Sequence, residues 1–118
     1  MSTNNTEHTK ISSIAKHIME IYFEFGITTV DLKVRSDEET SAILATGEYS
    51  DNISTEYLQE LNEAFEIKRS IESEDYYENL LDVEYSDNDK RIIGSMIDYG
   101  IAEIVDNQFK ILVVRHIH

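Results

Sequence analysis

The spacing of the apolar residues in this chain shifts between steps of three-and-four and steps of two, and that alternation limits the folds open to it. Ile11, Ile14, Ala15, Ile18, Met19, Ile21, Tyr22 and Phe25 recur at steps of three and four, which places them on one face of a helix. Gly26 follows, where a left-handed residue closes a helix, so the spacing predicts a helix over 10–25. Residues 1–9 have no such period and are expected to fray. Val30, Leu32 and Val34 then alternate with Asp31, Lys33 and Arg35, the two-residue period of a strand with one wetted face. A polar turn over 36–40 and an apolar run over 41–46 complete a hairpin, with a loop over 47–52 after it.

The helical period returns at Ser54, which is placed to cap a second helix with Glu56 in its first turn. Tyr57, Leu58, Leu61, Ala64, Phe65 and Ile67 form its apolar side, and Lys68 and Arg69 suit its last turn. Ser73 is placed to cap a third helix that opens with Glu74 and Asp75 and buries Tyr76 or Tyr77 with Leu80 and Leu81; the second and third helices are equally readable as one bent helix. The polar break from Ser86 to Asp89 caps a fourth, short helix with Ile92, Ile93, Met96 and Ile97 inward and Gly100 at its end. A second hairpin closes the chain: 101–105, a turn at Asp106 and Asn107, and 109–116. Phe109, Ile111 and Val113 face one way, and Leu112 and Val114 the other. A strand apolar on both faces belongs in the interior of a sheet, or has one face covered by a second subunit.

Helix, hairpin, helices and hairpin in that order predict an α+β fold. The two β-hairpins form one four-stranded antiparallel sheet, with three to four helices packed mainly on one face. A chain of 118 residues without Pro and with four Gly suits one domain of regular elements joined by brief turns.

Charge narrows the function classes. Residues 1–35 are neutral, with four acids and four bases, whereas residues 37–89 carry 17 acids against Lys68 and Arg69 alone. The net charge of −14 therefore belongs to the middle of the chain. It opposes direct binding to nucleic acid, which needs clustered Lys and Arg, and opposes an anionic membrane surface. The absence of Cys excludes disulfides, thiolate zinc sites and a cysteine nucleophile. No apolar run is long enough for a membrane span, and the residues after Met1 lack the pattern of a signal peptide, so a cytoplasmic protein is expected.

Motifs for chemistry are sparse. Gly26, Gly47, Gly94 and Gly100 lie too far apart for a phosphate loop or a dinucleotide fingerprint, and no nucleophile elbow is present. His116 and His118 share one side of a strand end, but a metal site generally takes three or four ligands, so no metal or other cofactor is expected. The cluster Asp87, Asn88, Asp89 lacks the spacing of a calcium loop and reads as a cap. His17 sits at the edge of the first apolar stripe. Asp98, beside Met96 and Ile97, is open to being drawn inward and alternation puts Glu103 on the wetted face; both read as solvated or capping carboxylates and identify no catalytic pair.

The remaining feature is an acidic segment containing tyrosines. Glu72, Glu74, Asp75, Glu78, Asp82 and Glu84 surround Tyr76 and Tyr77, with Tyr85, Asp87 and Asp89 beyond. Dense negative charge speeds encounter with a basic partner and tyrosines supply contact area, so this segment is the candidate docking face for a basic protein surface. The first reading is a small interaction or regulatory module, leaning away from an enzyme, with a homodimer through the last strand as one option. The rival reading is a small-ligand binder or an enzyme without a familiar motif, using a pocket between hairpin and helices.

The run Ile92-Ile93-Gly94-Ser95-Met96-Ile97-Asp98, then Ala102-Glu103-Ile104 and a terminal apolar strand, resembles small acidic proteins of uncharacterised families from Gram-positive bacteria. The opening helix ending in Phe25-Gly26 before an alternating strand is similar too. The resemblance implies a bacterial, cytoplasmic setting and carries over no activity and no site residue.

Overall fold

The computed structural model describes residues 3–49, 51–66 and 89–116. Its elements run α1 (Thr3–Glu24), β1 (Val30–Ser36), β2 (Thr40–Glu48), α2 (Thr55–Phe65), α3 (Asp89–Met96), β3 (Tyr99–Val105) and β4 (Gln108–His116). The strands form one antiparallel sheet in the order β1-β2-β4-β3. The α+β architecture and the four-stranded sheet agree with the sequence expectation, and three helices are present among the described residues. The two hairpins join at the middle, where β2 and β4 pair from Thr40 opposite His116 to Glu48 opposite Gln108.

Local chemistry explains the boundaries. Gly26 has φ +78°, and the amides of Gly26 and Ile27 donate to the carbonyls of Phe23 and Tyr22. That pair of bonds is a Schellman cap, and it turns Ile27 back under the helix. In the first hairpin, Asp37 Oδ1 accepts from the amides of Glu39 and Thr40, both at 2.9 Å. Those amides hold the exposed Asp37 carboxyl below its ordinary pKa, the Glu39 bond contributing most. Ser54 Oγ accepts from the Tyr57 amide at 3.0 Å and caps α2 as expected. Asp106 and Asn107 have φ of 52° and 66°, so the last hairpin closes through a left-handed two-residue turn.

Several expectations need correction. Helix α1 begins at Thr3, so residues 3–9 are helical and not frayed. Glu7 continues the apolar stripe one turn upstream of Ile11 and is buried against Arg115, a contact that no local pattern announces. Gly47 and Glu48 extend β2 instead of opening a loop. Gly100 does not end a helix: α3 stops at Met96, and Gly100 lies in β3 beneath Ile97 and Phe65, where a Cβ would come within 2.6 Å and 3.0 Å. Val34 was expected inward but is 52% exposed, because β1 is an edge strand whose far end has little packed over it. His17 is buried, not at the boundary. The third predicted helix and Ile67, Lys68 and Arg69 lie outside the described residues.

One core cluster joins the sheet to the described helices. Ile43 and Ala45 of β2 and Phe109, Ile111 and Val113 of β4 are buried there, with Ile14, Ile18, Ile21 and Tyr22 of α1. Leu61 and Phe65 of α2 and Ile92, Ile93 and Met96 of α3 complete it. Gly94 and Gly47, like Gly100, permit close approaches. At Gly94 a Cβ would overlap the Ala64 carbonyl, so α2 and α3 cross backbone to backbone. At Gly47 a Cβ would lie 2.8 Å from the Tyr22 ring.

Candidate functional site: the open face of the sheet

The strand registers sort every sheet residue onto one of two faces, since residues directly opposite one another point the same way. Gly47, Ala45, Ile43 and Ser41 share the core face with Phe109, Ile111, Val113 and Arg115. The opposite face, open with respect to the described residues, is built in rows across the strands. One row reads Arg35, Ala42, Val114, Tyr99; the next reads Lys33, Leu44, Leu112, Ile101; the third reads Asp31, Thr46, Lys110, Glu103. Leu44, Leu112, Ile101 and Val114 are half-buried, in contrast to their fully buried neighbours on the core face. Tyr99 and Val105, on the β3 side, are 51% and 37% exposed.

This face therefore has an apolar centre and a charged margin. Its charges are Lys33, Arg35 and Lys110 against Asp31, Glu48 and Glu103, an even balance in a chain whose net charge is −14. Glu103 and Lys110 stand directly opposite on adjacent strands. The expectation that Glu103 lies on the wetted face agrees with its exposure.

The core face ends in a polar corner. Arg115 Nε donates to Glu7 Oε2 at 2.7 Å and its Nη1 donates to the Met96 carbonyl at 2.9 Å, both charges being buried. Beside it, the Ser36 and Ser41 hydroxyls are 2.8 Å apart. These groups satisfy one another and join α1, the end of α3, and β1, β2 and β4. Asp98 is exposed and not drawn inward; its Oδ2 accepts the His116 amide at 2.6 Å, a cap on β4.

At the other end of the core, the Tyr22 hydroxyl donates towards the carbonyls of Phe109, at 2.8 Å, and Ala45, at 3.2 Å. Burial pushes this phenol well above its ordinary pKa. Asn62 of α2 clasps β3: its Nδ2 donates to the Ala102 carbonyl at 2.9 Å while its Oδ1 accepts the Ala102 amide at 2.8 Å.

A wide, shallow hollow of about 570 Å³ along α1 is lined by His8, Thr9, Ser12, Ser13 and Lys16. A cleft of about 280 Å³ between the α1–β1 connection and the end of β2 is lined by Gly26, Thr28, Thr29, Glu48 and Tyr49, with one carboxylate and one phenol. No group of three or more His, Asp or Glu side chains is arranged to hold a metal among the described residues. No helix among them is long and apolar enough to cross a membrane.

The candidate docking residues Glu72, Glu74, Asp75, Tyr76, Tyr77, Glu78, Asp82 and Glu84 lie outside the described residues, as does His118. Sequence reasoning marked Leu112 and Val114 of the open face but missed Leu44 and Ile101. The signal for Leu44 was the unbroken run Ala42-Ile43-Leu44-Ala45, in which both faces of β2 are apolar. In comparisons with known proteins, the chain matches no protein-family model, no curated protein and no solved structure.

Proposed function

We propose that this chain is a small interaction module whose described contact surface is the open face of its sheet. The observation that carries the reading is the apolar centre of that face, Leu44, Leu112, Ile101 and Val114, half-buried beside an exposed Tyr99. Apolar side chains gathered at the centre of a surface and ringed by polar ones are the usual anatomy of a protein interface. In this reading the helices gather on the core face. The contacts of Tyr22 at Gly47, and of Ile97 and Phe65 at Gly100, support that arrangement.

The acidic segment bearing Glu72, Glu74, Asp75, Tyr76, Tyr77, Glu78, Asp82 and Glu84 is a second contact surface in this proposal, directed at a basic protein. Its support is the sequence charge alone. A bacterial, cytoplasmic setting rests on the resemblance to small acidic Gram-positive proteins and on the absence of Cys.

Affinity capture separates the two surfaces. Wild type is compared with Leu112→Glu, which puts a charge at the centre of the open face, and with a variant carrying Lys at Glu74, Asp75, Glu78 and Asp82. Partners of the open face should be lost only with Leu112→Glu, and partners of the acidic segment only with the lysine variant, more weakly held as salt rises. Recovery of the same partners by all three proteins refutes the reading.

A further inference from the structure

We propose that the open face of the sheet is an isologous interface and that its occupant is a second copy of this chain. The inference rests on the interaction-module reading and names the partner of that same surface.

Charge is the first argument. With three bases and three acids, this face is neutral, while the chain as a whole is strongly acidic. A basic protein gains no attraction here, and a nucleic acid finds no basic patch. A neutral face is where two acidic copies can meet without net like-charge repulsion across the contact.

The second argument is self-complementarity. Asp31 and Arg35 lie on β1 two residues to either side of Lys33, whose row contains Leu44, Leu112 and Ile101. A two-fold axis running across the strands along that row stacks Leu44 on Leu44 and Leu112 on Leu112. It also brings Asp31 opposite the partner's Arg35, and the same pairing recurs at the symmetry-related position. Glu103 then faces the partner's Tyr99, whose hydroxyl is a donor for it. The two copies of Lys33 meet at the rim, where long side chains reach water.

Size is the third. Four strands at ~4.8 Å spacing and about 25 Å of their length give ~500 Å² of projected face per copy, or about 1,000 Å² buried in all. That is at the lower bound for a specific interface, so a reversible dimer is expected, not an obligate one.

Sedimentation velocity on the full chain tests this. The mass should rise from 13.7 kDa toward twice that value as concentration increases. Association should tighten between about 0.05 M and about 0.5 M salt, because screening relieves the repulsion between two acidic copies. A contact between the acidic segment and a basic protein has the opposite salt dependence. Leu112→Glu should weaken the dimer at least tenfold. Tyr99→Ser, at an exposed position that leaves the core untouched, should weaken it several-fold with an unchanged circular dichroism spectrum. Asp31→Arg should weaken it, and Asp31→Arg combined with Arg35→Asp should restore it. A wild type that stays at 13.7 kDa throughout, or a dimer indifferent to Leu112→Glu, overturns the proposal. If that monomer still captures a different protein through Leu112, only self-association is lost; if it captures none, the open-face reading fails with it.

Discussion

Tyr22 donates to backbone carbonyls on two adjacent strands, so Tyr22→Phe keeps the ring over Gly47 and removes only the hydrogen bond. The loss should be about 1–2 kcal/mol in chemical denaturation, since the carbonyls keep their strand partners. The same hydroxyl gives a pH signature. In the unfolded chain a phenol ionises near pH ~10, whereas burial keeps the folded Tyr22 protonated to higher pH. Above that pH the unfolded state binds fewer protons, so stability is complete below about pH 10 and falls as pH rises, by at most ~1.4 kcal/mol per unit from this group. Wild type should therefore lose stability more steeply than Tyr22→Phe in that range; equal slopes would show that the hydroxyl is not held as described.

Glu7 and Arg115 form the other decisive contact at this scale. Glu7→Ala leaves a buried guanidinium with one fewer partner and should cost about 3 kcal/mol or more. Glu7→Leu combined with Arg115→Met should recover much of that loss, because a well-packed apolar pair avoids the desolvation of two charges. The melting temperatures of the two variants decide the matter.

Elements were the most legible part of the sequence, and their failures share a cause. The Gly26 cap, the Ser54 cap and the Asp106-Asn107 turn each depend on residues a few positions apart, and each appears as expected. The start of α1 depends on a contact between residues 108 positions apart, and the place of Gly100 depends on Ile97 and Phe65 lying over it. Local periodicity does not encode either. The open face was half legible, because the alternation of β4 shows Leu112 and Val114, while its union with Leu44 and Ile101 requires the strand order. Two substitutions test the elements. Gly94→Ala should cost about 2 kcal/mol or more, since the Ala64 backbone that it meets cannot move as a side chain does. Asn107→Val should cost roughly 1–2 kcal/mol, because a β-branched residue resists a φ of 66°, whereas Asn107→Gly should be tolerated. Urea denaturation measures both.

At the scale of the molecule the acidic charge sets behaviour in solution. Self-repulsion within a chain of net charge −14 lowers stability at low ionic strength, so the melting temperature should rise with added salt. The sheet's two edges differ in a way that matters beyond the folded monomer. β1 presents an edge strand, while β3 has the peptide of Ala102 taken up by the Asn62 amide. Strand-by-strand growth into a fibril requires an accepting edge at both ends of every added unit, and here one end is stoppered. Two molecules can join through β1, and the addition then halts with Asn62 at either extremity. Asn62→Ala removes the stopper, and thioflavin-positive fibrils should form faster from that variant than from wild type.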